Sequence, residues 1–264
     1  MTIHSFAVMA YKDSPYLPAC LDSLTSQTVN SHIYITTSTP SAYIDDIAKK
    51  YGLEVFITET GKGIAHDWNY SFAQAKSKYV TLAHQDDLYL AGYTEQCIAT
   101  SEKYKDTLIC FTDYNEITDQ GMRTSTLLLN VKKMMLSTLM PFSDHVFSNA
   151  AKKLLLAIGD PIAAPSVMYN KENLSGFQFS SEFSINMDWD AWSRLANVHG
   201  RFVYVKKALL THRIHAASAT TEGLKANARQ NEDLKIFKRY WPGFVARQLA
   251  KLYARSYKSN EKAS

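Results

Sequence analysis

Along the first 115 residues the apolar positions switch repeatedly between two periods. Ser5–Ala10 is a short apolar run, and Tyr16–Gln27 then places Leu17, Cys20, Leu21 and Leu24 at helical spacing. His32–Thr37 reads as a strand, Ala42–Tyr51 as a helix, Glu54–Thr58 as a strand and Ile64–Ala75 as a helix. Tyr79–Ala83 is a further strand, and Leu90–Tyr104 a helix leading into the strand Leu108–Asp113. Strands alternating with helices predict an α/β protein with a mostly parallel sheet and helices on both faces. In such sheets ligands bind beyond the carboxyl ends of the strands, so the residues just after each strand are the first candidates for chemistry.

The second half is less regular. Thr124–Met140 and Asp144–Ala157 pattern as helices separated by Pro141, Ala164–Tyr169 as a strand and Met187–Val198 as a helix. Arg201–Lys206 and Leu209–Ile214 pattern as two strands, and two basic helices close the chain around Trp241-Pro242-Gly243. No repeat, low-complexity stretch or Gly/Ser linker divides the 264 residues. They read as one continuous domain whose second half is elaborated.

Composition narrows the classes. With 46% hydrophobic and 20% charged residues the chain is globular, and no apolar run approaches the ~18 residues of a membrane-spanning helix. Met1–Phe6 lacks the basic and apolar stretches of a signal peptide. Three cysteines (Cys20, Cys97, Cys110) form no Cys-x-x-Cys pair. Both features predict a cytoplasmic protein. Residues 235–264 hold eight Lys or Arg and one acid, which leaves net +7 there and −3 on the rest of a chain totalling +4. A mildly acidic body with a basic end disfavours a nucleic-acid binder. Phe244, Val245, Leu249, Leu252 and Tyr253 fall on one side of the last helix, and Arg247, Lys251, Arg255 and Lys258 on the other. That helix either packs on the body with a solvated basic face or lies against an anionic membrane surface.

Candidate chemistry follows the strands. The first glycine is Gly52, so the turn Tyr11-Lys12-Asp13-Ser14-Pro15 after the first strand is no Gly-rich phosphate cradle. Dinucleotide-binding, P-loop and sugar-nucleotidyltransferase readings lose weight accordingly. Phosphates would instead need a divalent metal. Tyr79–Ala83 runs into His84-Gln85-Asp86-Asp87, and two adjacent carboxylates suit Mg²⁺ or Mn²⁺ bridging substrate phosphates; the plainer reading is a solvated turn with one Asp capping the next helix. Met187-Asp188-Trp189-Asp190-Ala191-Trp192-Ser193-Arg194 sets a carboxylate at a helix start, with Trp189 and Trp192 either core residues or a platform for a sugar ring. Thr211-His212-Arg213-Ile214-His215 ends a strand with a metal-ligand or phosphate-binding set, Arg213 being suited to bidentate contact.

Together these segments resemble glycosyltransferase family 2, inverting nucleotide-sugar transferases of GT-A fold. The likeness spans residues 5–220. Phe6-Ala-Val-Met-Ala-Tyr-Lys, Leu17 and Cys20–Thr28 are similar to the family's opening strand, helix and Ser-x-x-x-Gln-Thr signature. Gly63–Asn69, Ala73, Ala75 and Tyr79–Asp87 resemble the helix leading into its metal-binding Asp-x-Asp-Asp segment. Met187–Leu195 resembles its acceptor-side Glu-Asp motif and Trp-x-Arg-Leu helix, and Arg213-Ile-His215 its C-terminal Arg-x-His.

The resemblance implies a GT-A domain over 1–220, with a donor-binding half (1–115), an acceptor-side half (116–220) and basic helices over 221–264. It implies Asp188 as general base, and Mn²⁺ or Mg²⁺ held by Asp86, Asp87 and His215. Tyr11, Thr37, Asp67, Asn69, Asp86 and Arg213 would contact the donor, and Trp189 and Trp192 would flank the acceptor. The partners implied are a UDP- or dTDP-sugar and a glycan or lipid-linked acceptor of bacterial surface polysaccharide synthesis. Three positions depart from the pattern. Thr36-Thr-Ser-Thr-Pro40 lacks the usual acids after the second strand, where Thr37 or Ser38 would hydrogen-bond instead. His84 replaces the first Asp of the metal segment, and Met187 the Glu before the base. The rival readings are a metal-dependent nucleotidyl- or phosphotransferase of similar sheet and a non-catalytic nucleotide- or sugar-binding module.

Overall fold

A computed structural model describes residues 2–215 and 228–261. Four parallel strands open the chain: β1 (His4–Ala10), β2 (His32–Thr37), β3 (Glu54–Ile57) and β4 (Tyr79–His84), linked by α1 (Leu17–Thr25), α2 (Ala42–Tyr51) and α3 (Ile64–Gln74). Helix α2 shows how local sequence sets the boundaries. The Ser41 hydroxyl accepts the Ile44 N–H at 3.3 Å, Asp45 lies in the first turn, Lys49 and Lys50 in the last, and Gly52 closes it at φ 65°.

After β4 come β5 (Leu88–Tyr89), α4 (Tyr93–Ser101), the long β6 (Thr107–Thr118), β7 (Gly121–Arg123), α5 (Leu127–Leu139), β8 (His145–Val146) and α6 (Asn149–Leu156). A 3₁₀ turn leads into β9 (Val167–Asn170), then α7 (Met187–Leu195), β10 (Arg201–Arg213), α8 (Ala228–Phe237) and α9 (Gly243–Glu261). The sheet runs β3-β2-β1-β4-β9-β6-β10-β5, with β7 beside β6 and β8 beside β10. Strand β9 lies antiparallel between β4 and β6, while β6 and β10 are parallel to each other.

Apolar residues fill both faces. Leu21, Ile35, Ile44 and Tyr93 line one, and Phe111, Tyr169, Trp192 and Phe237 the other. Four boundaries differ from the sequence reading. Leu88–Tyr89 pairs with β10 before α4 begins, and His145–Val146 pairs with it before α6. Helix α7 ends at Leu195, and β10 is one strand where the periodicity indicates two. Its register slips between Val205 and Leu210, so two consecutive lysines, Lys206 and Lys207, are both exposed and interrupt the alternation.

The last helix packs on the body through Ala246, Leu249, Ala250 and Tyr253, a face rotated from the apolar stripe expected of it. Phe244 and Leu252 stay exposed, as do Arg247 and Lys251. Lys262, the side chains of Arg255 and Lys258, and the boundary expected at 220/221 lie outside the described residues. No helix among the described residues is long and apolar enough to cross a membrane.

Candidate active site

Strand β4 ends in the acidic segment, and the neighbouring turns lock it in place. Ser23 and Gln27, from the α1 signature, hold the following strand. The Ser23 hydroxyl accepts the Tyr89 N–H at 3.0 Å, and the Gln27 amide donates to the Tyr89 and Leu90 carbonyls at 3.2 and 3.0 Å. Gln85 exchanges two hydrogen bonds with the Tyr11 backbone (3.0 and 2.9 Å), tying the ends of β4 and β1 together. Tyr11 itself is 53% exposed at the rim, free to border a flat ligand. Lys12 next to it adopts φ 56°, the left-handed region, and its N–H reaches the Thr39 hydroxyl at 2.6 Å.

The pairing of β5 with β10 carries residues 212–215 to the acidic segment across the chain. Asp87 is fully buried; its Oδ1 accepts from the Arg213 N–H at 2.8 Å and pairs with His212 Nδ1 at 2.9 Å. Burial alone would raise the Asp87 carboxyl, but His212, with smaller help from His84 and the Arg213 N–H, holds it below the usual range. His212 is pushed up to about 9: burial opposes its charge, and Asp87, Asp86 and Glu116 outweigh burial. Asp86 pairs through Oδ2 with His215 Nε2 at 2.8 Å. The Arg213 guanidinium donates to the Asp86 carbonyl at 3.0 Å and lies 4.3 Å over the Tyr16 ring.

His84, Asp86 and Asp87 present ligand atoms all within 4.8 Å of one another. Two of these groups carry buried atoms with no hydrogen-bond partner among the described residues, His84 Nε2 and Asp87 Oδ2. Buried polar atoms are rarely left bare, and a nitrogen with carboxylate oxygens is a donor set that fits a divalent ion of the Mn²⁺ or Mg²⁺ kind. Asp67 offers a third such atom. Its Oδ2 accepts from the Ser38 hydroxyl at 2.9 Å, while Oδ1 is buried with no hydrogen-bond partner among the described residues.

Asp188 stands half-buried in the first turn of α7, Oδ1 accepting its neighbour's N–H (Trp189) at 2.8 Å. Burial raises its carboxyl above the usual range, against smaller opposing effects from the Trp189 N–H, Arg229, Lys132 and His84. A second acid, Asp160, is raised further still, first by burial and then by Asp188.

Several expectations need correction. Trp189 and Trp192 are 1% and 0% exposed. Trp189 donates to the Leu156 carbonyl at 3.1 Å and Trp192 packs beside Tyr169, so no ring face is open to a sugar. Asn69 has both amide ends engaged by the Phe179 backbone, at 2.9 and 2.7 Å, and braces that loop instead of facing a donor. Thr37 is buried with its hydroxyl accepting the Thr39 N–H at 3.0 Å. His212 lay in a singled-out motif without a role of its own, and Asp160, Lys132 and Arg229, whose charges couple to Asp188, carried no sequence signal.

Comparison with known proteins bears on the family and the fold. The sequence profile of glycosyl transferase family 2 matches residues 5–158, more than half of the chain. No curated protein matches by sequence. Among solved structures, the mannosyltransferase PcManGT from Pyrobaculum calidifontis, in complex with GDP-Man and Mn²⁺, superposes with TM-score 0.65 at 12% identity, over 96% of this chain and 70% of that one. S. aureus TarS 1-349 in complex with UDP-GlcNAc gives TM-score 0.61 at 14% identity, over 94% and 70%. Glucosyl-3-phosphoglycerate synthase from Mycobacterium tuberculosis, in complex with phosphoglyceric acid, gives 0.58 at 13% identity, over 90% and 80%. Against the longer TarS chain, this one spans 42% of the length. At these identities the likeness fixes the fold, a GT-A arrangement of sheet and helices.

Proposed function

The chain belongs to glycosyl transferase family 2, and from that premise we propose that it moves a sugar, with inversion, from a nucleoside-diphosphate sugar to a hydroxyl of a glycan or lipid-linked acceptor. The observation that carries this reading is the gathering of His84, Asp86 and Asp87 at the end of β4, their ligand atoms all within 4.8 Å of one another. Asp86, Asp87 and His84 would hold the divalent ion, with His215 beside Asp86. A bound divalent ion supplies positive charge for the departing diphosphate.

The chain's own groups do the rest. Arg213, stacked on Tyr16, adds a second positive charge at the same strand end. Tyr11 borders the base, and Asp67 presents its free oxygen to the donor's sugar hydroxyls. Asp188 takes the proton from the acceptor hydroxyl as that oxygen attacks the anomeric carbon; a raised carboxyl suits this, because proton affinity is what a base needs. Residues 1–115 would supply the donor side and 116–220 the acceptor side. The place of action is the cytoplasm, with the exposed Phe244, Leu252, Arg247 and Lys251 available to an anionic membrane face in surface polysaccharide synthesis.

The test is turnover of a panel of UDP-, dTDP- and GDP-sugars with Mn²⁺, scored as nucleotide release with and without chelator. Asp188→Asn is expected to lower turnover about 10²–10⁴-fold while leaving nucleotide affinity intact. Binding without turnover across the panel would instead identify a non-catalytic binding module, and nucleotidyl or phosphoryl products a different transferase.

A further inference from the structure

The segment before α7 has no capping side chain of its own. Asn186, at the N-cap, makes no side-chain bond to the helix amides, yet this is the helix that carries Asp188. What gathers the segment is a carboxylate from a distant element. Glu232 of α8 is 8% exposed and accepts four hydrogen bonds from three consecutive residues. Its Oε1 takes the Ser184 N–H and hydroxyl, both at 2.8 Å; its Oε2 takes the Ile185 N–H at 3.0 Å and the Asn186 N–H at 2.9 Å. Asp233, fully buried, receives the Asn186 side-chain amide at 2.7 Å. Further along, Arg239 reaches Asp190 at 2.7 Å and the Tyr240 hydroxyl donates to Ser193 Oγ at 2.7 Å. Burial would raise the Glu232 carboxyl, but the backbone amides it receives hold it below the usual range, so it stays an anion beside the positive end of the helix.

We propose that Glu232 is the positioning residue of the transfer reaction, clamping residues 184–186 so that the first turn of α7 presents Asp188 to the acceptor. This rests on the reading of Asp188 as the base. Four charge-assisted bonds on three successive residues fix a loop far more tightly than one cap would. Backbone drift there moves Asp188 directly, since Asp188 lies two residues beyond the last clamped amide. Misplacing a reacting group by ~1 Å can cost on the order of 10²-fold in rate. Arg229 from α8, Lys132 from α5 and His84 from β4 act on Asp188 through charge, and Asp188 in turn acts on Asp160 from the loop after α6. Release of the clamp would also let water in among them.

The test uses the full chain carrying Glu232→Gln, Ser184→Ala, Asn186→Ala or, as a control, Asp188→Asn. A Gln at 232 must turn an NH₂ toward donors, while the two loop substitutions each remove one tether and leave the core aromatics alone. Three readouts are taken per folded molecule: kcat for nucleotide release from the best donor of the panel, the acid limb of its pH profile, and amide hydrogen exchange over residues 184–189. The expected result for Glu232→Gln is a kcat loss of about 10–100-fold at unchanged donor KM, an acid limb moved to lower pH as Asp188 becomes better hydrated, and faster exchange confined to 184–189. Smaller losses in the same direction are expected for Ser184→Ala and Asn186→Ala. Wild-type kcat and acid limb in all three variants, with only melting temperature lowered, would overturn the proposal and leave Glu232 a purely structural residue. Full turnover in Asp188→Asn would remove the base assignment instead, and the exchange data would still decide whether Glu232 holds the loop.

Discussion

At the scale of single residues the site is governed by which polar atoms already have partners. Asp188 combines burial, which raises its carboxyl, with the opposing charges of the cations Arg229 and Lys132. Its carboxyl is raised, so the acid limb of kcat/KM should fall above the ordinary aspartate range near ~3.9. Removing a cation makes the anion costlier: Lys132→Met should move that limb to still higher pH, and a limb that moves down or stays put would contradict the assignment. Asn69 gives the opposite kind of prediction. Because both its amide ends serve the Phe179 backbone, Asn69→Ala should destabilise the fold by about 1–3 kcal/mol in urea unfolding, with nucleotide affinity unchanged. Such assignments were only partly legible in the sequence. Asp86, Asp87, Arg213 and His215 stood out because strand ends collect ligands and their residue types suit cations and phosphates, and the fold brings the four together. The engagement of Asn69 and Thr37 could not, since an amide that braces a loop has the same sequence appearance as one that binds a sugar. Trp189 and Trp192 likewise read as core or platform until packing buried them.

At the scale of elements, the apolar pattern located nearly every strand and helix of the first half, because strands covered on both faces there are continuous buried runs and the helices between them bury one stripe. It failed where pairing is set by distant partners. The two-residue strands β5 and β8 are too short to carry a period, and both exist because β10 offers them edges. The bulge at Lys206–Lys207 broke one strand into two apparent ones. A residue that did not stand out, Gly200, permits this central pairing. At φ 133° it begins β10, and a Cβ there would sit 2.5 Å from the Asp106 carbonyl oxygen and 2.7 Å from the Leu108 side chain. Backbone cannot yield as a flexible side chain can, so Gly200→Ala should cost more than about 2 kcal/mol and lower the melting temperature accordingly. The start of β8 carries a pH-dependent tie as well. Burial would raise Asp144, but the Tyr104 hydroxyl, Lys103 and His145 bring it down to about 2. A depressed carboxyl contributes stability that is complete above the unfolded value near ~3.8 and is lost as pH falls through about 2. Asp144→Asn should therefore lower stability at pH 7 and flatten its fall between those values, as acid unfolding curves would register.

At the scale of the whole molecule, the chemistry depends on joining distant stretches of chain. The cluster of His84, Asp86 and Asp87 ends β4, while His212, Arg213 and His215 arrive from the far end of β10, more than 120 residues later. Helices α8 and α9 pack against the elements around α7: Tyr253 accepts the Asp160 N–H at 3.2 Å, packs 5.7 Å from Trp189, and comes close enough to position 159 that a Cβ there would lie 3.1 Å from its ring. The last helix as far as Tyr253 is thus part of the body, and deleting it would expose core. A divalent ion at the β4 cluster should accordingly act on the fold as well as on the reaction. Binding that favours the folded state adds RT ln(1 + [L]/Kd), about 2.7 kcal/mol at a hundredfold excess over Kd, and each kcal/mol raises the melting temperature of a protein this size by about 2–4 °C. Saturating Mn²⁺ should therefore raise the melting temperature of the wild type by several degrees, with chelator reversing the shift, and Asp86→Ala should abolish the response. A melting temperature indifferent to Mn²⁺ in the presence of nucleotide would show that these carboxylates and His84 are not its ligands.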